Sequence, residues 1–245
     1  MIRSLFALLL GSLIALPVSA QDTLRIATEG AYPPFNFIDA SGEVKGFDVD
    51  IAEALCAEMG ADCELVTQSW DGIIPGLIAG RYDAIIASMS ITPERQEAVS
   101  FSEPYYSNKL QFIAPNESDF GPSDASDAVI GAQRATIAAQ WLQDNVPEAD
   151  IRVYDTQENA YLDLESGRLD AVLADVYVSY EWLESDEGAA YELKGDPVYD
   201  DDKSAIAVRK GDEARAARFS EAIEAIRADG TYKAINAEYF PFDIY

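Results

Sequence analysis

Histidine is absent from this 245-residue chain. Its absence removes imidazole general bases, histidine-based catalytic triads and histidine-ligated zinc. Cysteine is scarce, with Cys56 and Cys63 alone, so no metal site and no cofactor is expected. Positive charge is thin as well: 17 lysines and arginines stand against 44 aspartates and glutamates, a formal net charge of −27. A chain this acidic repels phosphate, which makes nucleic acid and anionic membrane surfaces poor partners. The plainest use of the charge is solubility in salt.

Long apolar runs are confined to one place. Arg3 precedes an apolar stretch from Leu5 to Leu16, broken only by Gly11 and Ser12 and followed by Pro17, Val18, Ser19 and Ala20. A basic start, a short apolar core and a small-residue end read as a cleavable secretory signal over 1–20, too short to span a bilayer, with the mature chain beginning at Gln21. No cysteine follows the run, so a lipid anchor is not expected and the product should be soluble outside the cytoplasm. In that setting Cys56 and Cys63, seven positions apart around Gly60, read as a structural disulfide. Closing so short a loop contributes about 2 to 3 kcal/mol.

The remainder, in a chain that is 49% hydrophobic, has material for one large core or two smaller ones. Extended runs at 23–28, 63–68, 83–88, 128–133, 151–156, 170–175 and 205–210 alternate with helical patterns. In the helical stretch DVDIAEALCAEM, Ile51, Leu55 and Met59 share one stripe, with Asp48, Asp50, Glu53 and Glu58 largely elsewhere. A long amphipathic helix from Asp212 to Asp229 stops at Gly230, and a shorter one ends near Tyr239. Such alternation predicts an α/β architecture with mostly parallel sheets.

Residues 66–88 echo 153–175 at a constant offset of 87: Val66, Leu77, Gly80, Arg81, Asp83, Ala84 and Ala87 match Val153, Leu164, Gly167, Arg168, Asp170, Ala171 and Ala174. A strand, a helix, a Gly-Arg turn and a second strand therefore occur twice, which points to two similar lobes. The offset sets Ser88 against Asp175. Ligands of open α/β sheets lie outside the carboxyl ends of strands, where these two residues fall.

The first of those tips is crowded. In DAIIASMSITPER (83–95), Thr92 before Pro93 and Glu94 reads as a helix N-cap with proline at the first helical position, which leaves Ser88 and Ser90 between strand and helix. Hydroxyls, backbone N–H groups and the Arg95 guanidinium suit a planar carboxylate. Ordinary capping and surface polarity is the plainer alternative. A serine nucleophile has no base here, with neither histidine nor lysine in the motif.

The stretch GFDVDIAEALCAEM (46–59), together with SITPER and FSEPYY (101–106), resembles the periplasmic solute-binding proteins of polar amino-acid ABC transporters, over almost the whole mature chain. The resemblance implies a two-lobed, type II periplasmic-binding fold, with lobe one formed by 21–107 plus 205–245, lobe two by 112–199, and hinge crossings at 108–111 and 200–204. It implies that Arg95, Ser90 and the backbone around Ser88 hold a ligand α-carboxylate, helped by Thr136 from the other lobe. Asp175 then receives the α-ammonium, Trp70 and Tyr32 flank the side chain, and Glu29 in TEGAYPPF (28–35) meets its far end. Each has a plainer reading: Trp70 as core, Tyr32 as loop packing beside Pro33 and Pro34, Glu29 as a solvated surface group. Many relatives carry glycine and two hydroxyl residues where this chain has Ala135, Thr136 and Ile137.

TEGAYPPF resembles members of the family that take arginine and related cations, and an acidic residue flanked by aromatics suits such a ligand. The expected activity is therefore binding of a cationic amino acid of the arginine, lysine, ornithine or histidine type in the periplasm, by a monomer that delivers it to an ABC permease. A neutral polar amino acid is an alternative ligand. A dehydratase-like enzyme on the same fold, with Glu29 or Asp175 as an acid, is an alternative activity.

Overall fold

The computed structural model describes residues 23–245, so the segment expected to be a secretory signal lies outside the described residues. In chain order the elements are β1 (Leu24–Thr28), β2 (Ala31–Tyr32), β3 (Asn36–Ile38), β4 (Val44–Lys45), α1 (Phe47–Glu58), β5 (Cys63–Thr67), α2 (Trp70–Ile78), β6 (Ala84–Ile85), α3 (Pro93–Ala98) and β7 (Val99–Pro115). There follow β8 (Val129–Gln133), α4 (Ile137–Asn145), β9 (Asp150–Tyr154), α5 (Gln157–Glu165), β10 (Ala171–Asp175), α6 (Val176–Leu183), β11 (Tyr191–Arg209), α7 (Glu213–Ala228) and α8 (Thr231–Tyr239).

The strands form one continuous sheet in the order β5-β1-β6-β11-β7-β10-β8-β9, with β2, β3 and β4 in a small sheet beside it. At each end is a parallel group, β5-β1-β6 and β10-β8-β9. Between them β7 and β11 run antiparallel to their neighbours and to each other. This is the two-lobed α/β arrangement, and its central pair departs from the parallel pattern read from the sequence. β7 pairs with the foot of β11 through Tyr191–Lys194 at one end and with Ala205–Arg209 at the other, and the register shifts repeatedly between Lys194 and Ala207. Such irregularities bend a strand and increase its twist. The stretches 108–111 and 200–204 lie within this pair, and Leu110 at the edge of the first is already opposite Asp175 of β10.

Helices cover both sheet faces and bury near-continuous apolar strands, as parallel sheets require. Ile26, Ile51, Leu55, Ile206 and Phe219 belong to one large core. Ile73, Leu77 and Ile85 pack the opposite face of the first lobe, while Phe112, Ile130, Leu142 and Leu173 fill a core in the second. The Cys56–Cys63 disulfide ties the end of α1 to the start of β5.

The internal echo is structural. Gly80 and Gly167 both take a left-handed conformation, at φ 73° and 70°, and each donates to the leucine three residues before it, Leu77 and Leu164, at 3.0 Å. Asp83 then accepts from the N–H of Arg25 at the start of β1, and Asp170 from that of Val129 at the start of β8. The same device aligns two strands in each lobe, and both lobes point their strand tips into one cleft.

Candidate functional site

The SITPER junction forms as its residues dictate. The Thr92 hydroxyl accepts from the Arg95 N–H at 3.1 Å with Pro93 opening α3. Ser88 sits at φ 54°, in the left-handed region. A serine is held there because it is gripped from below: its N–H donates to the Tyr105 hydroxyl at 3.0 Å and its own hydroxyl donates to Asp48 Oδ2 at 2.9 Å. Asp48 also accepts from Asn36 Nδ2 at 2.8 Å and from Tyr105 at 2.6 Å. Asp48 is only 1% exposed, and burial pushes its carboxyl up to about 6 in spite of these donors. Its position off the Ile51–Leu55 stripe suggests solvent, yet Asp48 is the buried post on which the strand tip rests.

Glu29, Tyr32, Trp70, Ser88, Ser90, Arg95, Thr136 and Asp175 all line one narrow cavity between the lobes, which has a free volume of about 20 Å³ and includes Ala87, Gln133 and Ile137 in its wall. That is room for about one water molecule. Lobe-to-lobe hydrogen bonds cross it. The Tyr32 hydroxyl donates to Asp175 Oδ2 at 2.7 Å, and Gln133 Nε2 donates to Glu29 Oε1 at 2.6 Å. The Ala135 carbonyl accepts from Trp70 Nε1 and from Arg95 Nη2, both at 3.0 Å. The other arm of the guanidinium donates to the Ser90 carbonyl at 2.9 Å, and the group stacks 5.3 Å from the centre of the Trp70 ring. A wider, open groove adjoins the cavity at Arg95, Thr136 and Ile137 and runs between α3 and α4.

Thr136 is on the wall, but its hydroxyl is engaged locally. It donates to the Gln133 carbonyl at 2.7 Å and accepts from the Ala139 N–H at 3.2 Å, capping α4. What this corner can offer an anion is therefore the backbone at the helix start rather than the side chain. Ala135 holds φ 59°. That conformation is costly for a residue with a Cβ, and it is what aims the Ala135 carbonyl at Trp70 and Arg95.

The electrostatics are lopsided. Burial pushes Glu29 up to about 7, with Gln133 pulling it back and Asp71 adding to the rise. Asp175 also lies at about 7, raised by burial and by Asp202 and drawn down by Tyr32, Asn108 and Arg95. Asp202 of β11 is 2% exposed; it accepts from Ser90 Oγ at 3.1 Å and from Asn108 Nδ2 at 3.3 Å, and burial raises its carboxyl too. Arg95 thus faces two buried carboxyl groups, Asp202 and Asp175, and a third, Glu29, lines the same cavity. Of the residues that sequence reasoning missed, Gln133 ends the run 128–133 and could have been flagged as another strand tip. Asp202 sits in a run of three aspartates, and Asn108 in a stretch with no motif; neither carries a local signal.

Residues 24–242 match the family described as bacterial extracellular solute-binding proteins, family 3. Among curated relatives, the L-arginine-binding protein of Pseudomonas aeruginosa is 40% identical over 244 residues, covering 96% of this chain and 94% of that protein. ABC transporter arginine-binding protein 1 of Escherichia coli is 39% identical over 225 residues, covering 91% and 93%. Among solved structures, an ancestral arginine-binding protein bound to arginine superposes with a TM-score of 0.84 at 32% identity, covering 89% of this chain and 98% of that one. On sequence and on architecture alike, the chain belongs to the bacterial extracellular solute-binding proteins of family 3.

Proposed function

We propose that the protein binds a free cationic amino acid, arginine foremost, in the periplasm and delivers it as a monomer to the permease of an ABC transporter. The observation that carries this reading is the charge of the cavity: Glu29 and Asp175 are buried in its wall, and Arg95 is the one cationic side chain among the lining residues. A ligand with two positive groups and one negative group complements that set, and a neutral amino acid leaves one carboxyl unmatched. In this reading Arg95 and Ser90 take the α-carboxylate, with the start of α4 at Thr136 beside them. Asp175 takes the α-ammonium, joined by Ser88 Oγ, whose proton is committed to Asp48 and whose lone pairs suit a donor. Tyr32 and Trp70 flank the side chain, and Glu29 with Gln133 meets its far end. The lobes close by bending at 108–111 and 200–204, where β7 and β11 lose regular register.

Melting-temperature screening with the common amino acids tests the assignment. At about a thousand times Kd a ligand adds ~4 kcal/mol, enough to raise the melting temperature by several degrees. Arginine, lysine, ornithine or histidine should give the largest shift. No shift with these four, and a clear one with an unrelated solute, rejects the cationic reading.

A second reading has a specific observation in its favour. Glu29 and Asp175, both lifted to about 7, are suited to act as general acids, as a dehydratase-like enzyme requires. Recovery of arginine and glutamine unchanged after long incubation with the protein separates binding from turnover.

A further inference from the structure

Ser90 is gripped on two sides. Its carbonyl accepts from Arg95 Nη1 at 2.9 Å, and its hydroxyl lies 3.1 Å from Asp202 Oδ2. A serine hydroxyl owns one proton. When Asp202 is ionised that proton is drawn to the aspartate, and Ser90 presents only lone pairs to its surroundings. A ligand carboxylate, which can only accept, is then met by another acceptor. When Asp202 carries a proton the bond reverses: the carboxyl O–H donates to Ser90 Oγ, and the serine proton is free to turn to the ligand. Each oxygen keeps its own proton, and only the direction of donation changes.

The surroundings of Asp202 permit this. It is 2% exposed. Burial lifts the carboxyl above its ordinary range and outweighs the groups that favour the ionised form, which are the Ser90 hydroxyl itself, the Asn108 amide from β7, Arg95 from α3 and the backbone of Lys203. Asp175 from β10 is the nearby like charge, and Tyr199 faces Asp202 from its own strand. The Lys203 ammonium turns away, to Ser107 Oγ at 2.9 Å.

We propose that Asp202 is a positioning residue of the carboxylate anchor, protonated when a ligand is bound, so that Ser90 donates to the α-carboxylate beside Arg95. This rests on the reading of the cavity as an amino-acid site. Binding should then draw a proton onto Asp202 on the alkaline side and weaken there. Asp202→Asn supplies a donor to Ser90 at every pH and removes that dependence.

Calorimetric titration with arginine between pH 5.5 and pH 8 gives the test. Wherever Asp202 already carries its proton before the ligand arrives, wild type and Asp202→Asn should agree within about threefold. Past the titration of Asp202 the variant should gain on wild type by up to about tenfold per pH unit, the limit for one linked proton. In a Ser90→Ala background the gain should vanish. A ratio flat with pH overturns the proposal, and a gain that persists in Ser90→Ala overturns it in favour of a charge effect on Asp175. Wild type alone gives an independent check. At pH 8 in two buffers of different ionisation heat, binding should take up protons, and release or no exchange counts against Asp202. If wild type binds no amino acid at any pH, the underlying reading of the cavity is what fails.

Discussion

Tyr32 and Asp175, 143 positions apart in the chain, meet across the cleft in a 2.7 Å hydrogen bond in which the phenol donates. The bond supports a carboxyl that burial and Asp202 push up to about 7, so Asp175 awaits a positive partner that Tyr32 only partly replaces. Asp175→Asn should weaken cationic and neutral amino acids alike, since all carry the α-ammonium, by roughly 10- to 150-fold, the equivalent of about 1.5 to 3 kcal/mol for a charged hydrogen bond. Arg95→Ala should do the same from the carboxylate end. Near-normal affinity in either folded variant would remove that residue from the site.

Glu29→Gln separates specificity from anchoring. It keeps size and hydrogen bonding while removing charge, so arginine should bind roughly 10- to 150-fold more weakly. Glutamine should bind no worse, because its entry no longer leaves a desolvated carboxylate unpaired. Calorimetric titration of both proteins with both ligands makes the comparison, and equal losses would mean that Glu29 shapes the cavity without selecting charge.

The same residue predicts a pH dependence of stability. Glu29 rises from 4.5 to about 7 on folding, so the folded protein holds a proton that the unfolded chain releases. Below pH 4.5 both forms are protonated and nothing is lost; between 4.5 and 7 stability falls as pH rises, by on the order of 3 kcal/mol for this one group, and above 7 the loss is complete. Thermal melts across that window should show a shallower fall for Glu29→Gln than for wild type. Saturating arginine should flatten the wild-type curve. Parallel curves for the two unliganded proteins would place Glu29 in water.

Gly46 opens α1 at φ 124°, and a Cβ there would lie 2.3 Å from the Phe35 carbonyl oxygen. Gly46→Ala combines a strained backbone with a clash against main chain that cannot move aside. It should cost at least about 2 kcal/mol in chemical denaturation. It should also disturb the Asp48 post two residues on, and with it Ser88. A melting curve superimposable on wild type would contradict this.

Short-range signals made the helix starts legible: Thr92 before Pro93 caps α3, and Gly230, at φ 90°, separates α7 from α8. The echo around Gly80 and Gly167 exposed the two lobes, and the eight candidate residues converge on one cavity. The strand β7, and β11 ahead of the run 205–210, were hidden because they carry turn residues. Pro104 interrupts the first, and Gly195, Asp196 and Pro197 interrupt the second. Their pairing comes from distant chain. Asp48 looked solvated because its partners Asn36, Ser88 and Tyr105 are scattered through the sequence. Asp202, within an acidic run, carries no local signal for the same reason.

The position of β11 in the sheet bears on how the molecule comes to exist. β6 has β1 on one side and β11 on the other, so the first lobe has an open seam until the residues from Ala205 onward arrive. The pairings of β8, β9 and β10 draw on segments that precede that point. A chain emerging from a ribosome or a translocation channel N-terminus first can therefore assemble the later lobe before the earlier one. The residues written first wait longest for their neighbours, and the strand that joins the halves is also the last piece of the sheet to be delivered.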